Sequence, residues 1–299
     1  MPHWCWRHPA ALLVMLAPAT AAAQGAAGPE SVRSTGAPNS ERRGIRTGPV
    51  ATYLSVGVRG RYNDNIYAES SDASADYIAH VRPRVHVRTR SDRHGAQATV
   101  EADAARHLRN PAADVVAYGG RTKAHLDLGP TTRIGVELAA QKEHEDPAAP
   151  GAPGGVTRTP IRRYALQLDA STRLGPLGLA LAGGVERLNF GDVRSRADSD
   201  DGNSGESDSD DSDALDKDDR DRVDARAAAR ASYRLSPAYQ PFIQGAYNLV
   251  TYDQTTETGL DRDGTGFEVG AGLRYRPNGF TAIEGRLGYR THNLADDEL

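Results

Sequence analysis

The chain is short of the residues that hold a compact soluble protein together. Among 299 residues there are one cysteine, two tryptophans and two methionines, and all five fall within the first fifteen positions (Cys5, Trp4, Trp6, Met1, Met15). A lone cysteine excludes a disulfide framework and a thiolate metal cage. Apolar residues make up 38% of the chain, and beyond the N-terminus no stretch approaches the roughly 20 apolar residues of a membrane helix. Strand-like segments often carry Ala or Gly where a dry core would want large side chains. Two options remain. Either much of the chain is unstructured, or its strands bury one face each and share a water-filled interior.

What is present begins with an export segment. Arg7 and His8 precede AALLVMLAPATA, and Ala21-Ala22-Ala23 offers a small-residue cleavage site. The apolar run has signal-peptide length and is too short to span a bilayer. Residues 1–23 are therefore expected to be a signal peptide, whose removal takes the cysteine, both tryptophans and both methionines with it. Residues 24–49, rich in Gly, Pro, Ser and Arg without period, read as a flexible periplasmic lead-in. Residues 50–299 read as one β-domain.

Charge is unevenly distributed. The precursor carries −4, and loss of Arg7 makes the processed chain −5. Residues 198–224 hold thirteen acids against Lys217, Arg220 and Arg222, a net −10, so the remainder is basic at +5. The acidic tract is expected to be an external loop. An EF-hand register fails there, because Gly202 at the turn position puts Ala197 first and Gly205 puts Gly202 third. The run Lys142-Glu143-His144-Glu145-Asp146 reads as a solvated loop rather than a metal or acid–base cluster. No H-E-x-x-H, P-loop or G-x-S-x-G occurs. No catalytic residue, cofactor or metal site is assigned, and nothing points to nucleic acid.

Period-two alternation recurs along the rest of the chain. Leu54, Val56 and Val58 alternate with Ser55, Gly57 and Arg59. Tyr77, Ala79, Val81, Val85 and Val87 oppose His80, Arg82, Arg84, His86 and Arg88. About eleven such segments follow one another, most near the length that a tilted membrane strand needs. Their connections alternate. Short turns at Ser91–Arg93, Gly129–Thr131, Gly175–Pro176, Ser236–Ala238 and Pro277–Gly279 alternate with long links near 63–76, 108–115, 145–160, 190–221 and 253–264. A soluble sandwich has no reason to gather every long loop at one end, whereas an outer-membrane barrel does. The fold expected is thus all-β, a transmembrane antiparallel up-and-down barrel. Tyr62 and Tyr67 would flank the outer exit of the first strand at headgroup level, with Tyr233, Tyr239, Tyr275 and Tyr289 near other strand ends.

The run VRGRYNDNIYAESSDASADYIAHVRPRVHVRTRSDRHG resembles the start of the beta-barrel porin 2 family of Gram-negative outer-membrane proteins. In that family an early strand leads to a Tyr-(Asp/Asn)-Asn-Asn-like box with Ile or Val and an aromatic, here Tyr62 to Tyr67. A strand with a Val-x-Pro element follows, here Val81-Arg82-Pro83. The resemblance implies an outer-membrane barrel, in contact with membrane lipid and lipopolysaccharide, sometimes linked with exopolysaccharide export. It brings no catalytic residues. Barrels of that family are longer and end in a strand with a terminal aromatic, whereas this chain ends THNLADDEL. The expectation is a barrel incomplete at its C-terminus, whose missing strands would close it.

The polar faces supply the candidate site. Arg82, Arg84, Arg121, Lys123, Arg226, Arg230, Arg274 and Arg286 are expected to line the lumen, together with Arg290. They outnumber Glu101, Asp103, Asp127, Asp169, Glu268 and Glu284, which points to anionic solutes; polysaccharide as a partner is what the resemblance implies. Two functions fit these features. One is a porin-like pore or export-associated barrel; the other is a non-conducting scaffold barrel whose loops bind partners.

Overall fold

The structure, a computed structural model, describes residues 44–68, 73–89, 91, 93–145, 158–194, 214–215, 218–256, 259–278 and 280–295. The expected signal peptide, nearly all of the lead-in and most of the acidic tract lie outside these residues. Fourteen strands are described: β1 (Ile45–Thr47), β2 (Val50–Asn63), β3 (Asp76–Thr89), β4 (His94–His107), β5 (Val115–Asp127), β6 (Arg133–His144), β7 (Pro160–Leu174), β8 (Leu177–Phe190), β9 (Val193–Arg194), β10 (Ala214–Leu215), β11 (Arg222–Tyr233), β12 (Tyr239–Tyr252), β13 (Gly264–Tyr275) and β14 (Ile283–Leu294). Twelve form one sheet in chain order, each antiparallel to the next, while β9 and β10 make a separate ribbon.

The eleven strands anticipated from the alternation are the eleven long ones, of 12 to 15 residues. A tilted strand needs roughly 9–11 residues to cross a bilayer, so each crosses with residues to spare. The up-and-down order gathers the long links at one end of the sheet, the loop end, and the short turns at the other. No helix among the described residues is long and apolar enough to cross a membrane; the crossing elements are strands. Among the described residues β14 and the upper part of β2 remain unpaired along one edge each, so the sheet is open. In hydrocarbon each unsatisfied edge group costs several kcal/mol, so closure requires a partner strand along both.

Residues 44–49, expected within the lead-in, instead belong to the sheet at their β1 part. Thr47 pairs with Val50 across Gly48-Pro49, and Gly48 takes φ 58°. A two-residue hairpin turn with positive φ at its first position suits glycine, and Pro49 fits the second. The same Gly-Pro pair closes β7 onto β8, with Gly175 at φ 61°.

Register keeps the two faces distinct from one end of the sheet to the other. Leu54 pairs with Val85 and Val85 with Val100 on the apolar face, while Ser55 pairs with Arg84 and Arg84 with Glu101 on the polar face. The apolar face is bare: Leu54 is 64%, Leu181 60% and Ile243 63% exposed. Aromatic pairs bound it. Tyr62 and Tyr77 meet at 5.0 Å near the loop end, and Tyr239 stacks on Tyr275 at 4.8 Å near the turns; Tyr233 ends β11 at the same end. From Tyr275 back to Phe267 on β13 the strand covers about 26 Å at about 3.3 Å per residue. A tilt of about 40° reduces this to about 20 Å of height, near the apolar band of such barrels.

Two of the tyrosines expected in that girdle sit elsewhere. Tyr289 is opposite Val269 in mid-strand. Tyr67 is 7% exposed and packs with Ile66, Ile78, Ala105 and Ala113 on the polar side of the sheet. After Tyr62 the chain turns inward through Asn63, whose side-chain oxygen accepts the Asn65 N–H. Ile66 and Tyr67 therefore pack onto the polar side of the sheet instead of continuing outward.

Asp76 fixes this loop end. It is fully buried beyond the Tyr62–Tyr77 pair, and its carboxylate accepts the backbone N–H groups of Tyr77, Leu108, Arg109 and Asn110 and the Asn110 amide. Burial alone would raise its pKa. The bonds from the Asn110 side chain and from the backbone of Arg109, Asn110 and Tyr77 outweigh that and lower it from 3.8 to about 2. A depressed carboxylate stabilises the fold above its unfolded pKa, and that stabilisation is lost as pH falls through about 2. Asp76→Ala should leave the strands intact yet raise amide hydrogen exchange at residues 109 and 110, whose N–H groups bond only Asp76, roughly tenfold or more. Unchanged protection there would refute the clamp.

Candidate functional site

All eight candidate lining residues fall on one face, opposite the apolar one. Cross-strand pairing then sorts them. On β3 and β4, Arg82 reaches Asp103 at 2.6 Å and Arg84 reaches Glu101 at 2.6 Å, with His80 also 2.9 Å from Asp103. On β5 and β6, Arg121 and Lys123 share Glu137 at 3.3 and 2.8 Å. At the far side of the sheet Arg230 and Arg274 share Glu284 at 3.1 and 2.6 Å, and Arg286 reaches Glu268 at 3.1 Å. Arg226 stands apart. Its register neighbours are Gly184 and Asn248, and no ion pair joins it among the described residues.

Further charged residues on this face extend the network. Arg163 on β7 bridges Glu143 on β6 and Glu186 on β8, at 3.2 and 3.1 Å, and Arg133 is held by Asp127 at 2.5 Å. Arg59, Arg61, Arg173 and Arg290 share the face by register. Like Arg226, they have no ion pair among the described residues. Asp169, lying over Gly135 where a Cβ would be 2.3 Å from its oxygen, is the one carboxylate of the face in that condition.

The run from Lys142 to Glu145 is no solvated loop. Lys142, Glu143 and His144 end β6, and Glu145 accepts both terminal nitrogens of Arg220 at 2.9 and 2.7 Å. Asp146 lies outside the described residues. Among the described residues no group of three His, Cys, Asp or Glu could hold a metal ion.

The polar face is concave. A single cavity of about 1120 Å³ at the turn end is lined from Arg93, between β3 and β4, across to Arg274 on β13. One cavity can touch that many strands only on the inside of a curve. Arg230 on β11 likewise meets Glu284 on β14 across two intervening strands, a separation of about 14 Å in a flat sheet. Between them Phe242 lies on Gly272, where a Cβ would be 2.4 Å from the ring, and Arg230 covers the ring at 3.6 Å from its centroid.

Meandering strands, an apolar outer face bounded by tyrosines and a charged concave face define a porin-like β-barrel of the outer membrane. The chain belongs to the family described as "Putative beta-barrel porin 2", whose sequence profile matches residues 37–299. Among solved structures it is similar to the outer-membrane expressed OmpT of Vibrio cholerae, with 7% identity and TM-score 0.40 over 84% of this chain and 90% of that one. It is also similar to an outer-membrane channel from Pseudomonas putida F1, with 14% identity and TM-score 0.32 over 86% and 98%. A third is the Ralstonia pickettii toluene transporter TbuX, with 12% identity and TM-score 0.27 over 83% and 79%. No curated protein matches at a significant level.

Proposed function

We propose that the concave face lines a water-filled lumen that conducts anionic solutes across the outer membrane. The observation that carries this reading is the imbalance of charge without an ion pair among the described residues of this face: Arg59, Arg61, Arg88, Arg173, Arg226 and Arg290 against Asp169. Ion pairs within a charged lumen cancel locally, whereas unpaired guanidinium groups in a narrow low-dielectric passage raise the local anion concentration. In this reading the long links face outward, the short turns face the periplasm, and no catalytic residue or cofactor is involved. Acidic exopolysaccharide is one cargo of the right charge.

The competing reading is a scaffold barrel that conducts nothing. What favours it is the inward fold of Ile66 and Tyr67 across the loop end. Planar bilayers holding the purified protein under a potassium chloride gradient separate the two. The pore reading expects steady single-channel steps and a reversal potential of the sign set by chloride. Silent membranes at protein densities where a control porin conducts would remove it.

A further inference from the structure

We propose that the turn-end cavity is a binding site for oligosaccharides that carry carboxylates. The inference rests on the reading of the concave face as water-filled, and it assigns that face a ligand class and a place. The cavity holds about 1120 Å³, beyond the roughly 300–1,000 Å³ of ordinary small-molecule pockets. An inorganic anion would fill a small part of it.

Its walls carry cations of two kinds. Arg93, Arg173 and Arg234 line it without an ion pair among the described residues. Arg133, Arg230 and Arg274 line it with their charges held by Asp127 and Glu284. Guanidinium forks donate to carboxylates bidentately, so these three suit a ligand with several carboxylates spaced along it. Between the arginines the wall is hydroxyl and amide. Gln240 donates to Ser232 at 2.9 Å, Ser232 donates to the Gly178 carbonyl at 3.3 Å, and the Thr132 and Thr172 hydroxyls meet at 2.7 Å. Such groups exchange hydrogen bonds with sugar hydroxyls.

The same wall disfavours a nucleotide. Nucleobases bind by stacking on open aromatic faces, and none of the described residues lining the cavity is aromatic. Space is preserved by Gly178, since a Cβ there would lie 2.8 Å from the Ser232 oxygen.

The test uses the full-length protein in detergent micelles and titration calorimetry with hexagalacturonate and maltohexaose at low salt. Hexagalacturonate should bind, and maltohexaose should bind at least tenfold more weakly. The double variant Arg173→Gln/Arg234→Gln should lower hexagalacturonate affinity about tenfold or more. The double variant Arg46→Gln/Arg276→Gln, which removes the same charge from residues that do not line the cavity, should lower it far less. Gly178→Met keeps every arginine and fills the wall, and it should weaken binding as well; it carries the test if the arginine pair fails to fold. Equal affinity for both sugars, or affinity indifferent to Arg173, Arg234 and Gly178, overturns the site. Anion-selective current without hexagalacturonate binding refutes this inference and leaves the pore. Cavity-dependent binding without current supports the site and refutes conduction.

Discussion

Val81→Arg is expected to abolish assembly into the membrane, while His80→Arg, one residue away, assembles like the parent. Val81 lies on the outer face between Val58 and Ala104 and is 45% exposed to what surrounds the sheet. It stands four residues from Tyr77, about 13 Å along the strand, and so near the middle of the apolar band. An arginine at the bilayer midplane costs about 2–4 kcal/mol in a barrel, enough to shift a folding equilibrium roughly thirty-fold or more. His80 faces inward beside Asp103, where a guanidinium gains a carboxylate instead of lipid. Heat-modifiable gel mobility of protein folded into lipid vesicles reads both variants. Normal folding of Val81→Arg with failure of His80→Arg would mean that the two faces are exchanged, since one residue of slip inverts every side chain.

Arg226→Glu should move the reversal potential toward cation selectivity by several-fold in permeability ratio, with assembly unaffected. The substitution changes the local charge by two without orphaning a partner, because Gly184 and Asn248 flank the position. Arg82→Glu is the instructive contrast. It sets a second carboxylate against Asp103, from which Arg82 is 2.6 Å away, and so should impair folding as well as selectivity. An Arg226→Glu pore with unaltered ion preference would show that this arginine does not feel the permeating ions.

Much of this architecture was legible in the sequence because barrel strands obey a strict period of two. The faces named for Val81 and Arg82, and for Arg226 and Arg286, are those that the register shows. The recurrence of period-two segments set the strand number, and the alternation of long and short links set the up-and-down order. What stayed hidden depends on residues far apart in the chain. Tyr62 and Tyr67 look equivalent in RYNDNIY, yet one faces outward and the other is buried with Ile78 and Ala105. Asp76 reads as an ordinary loop acid until residues 108–110 are brought onto it. Arg230 and Glu284 are 54 positions apart, and alternation says which face each occupies but not that the face curves enough to join them.

The sharing of carboxylates has its own bearing on how such a surface can change over generations. Glu137 serves Arg121 and Lys123, and Glu284 serves Arg230 and Arg274. Losing one of those cations leaves the acid with its other partner and releases nothing. Losing either acid sets two cations loose in a single step. Acids are thus the scarce component of the balance, and mutational drift at Glu137 or Glu284 would retune the appetite of the interior for anions faster than drift at any one of the arginines around them.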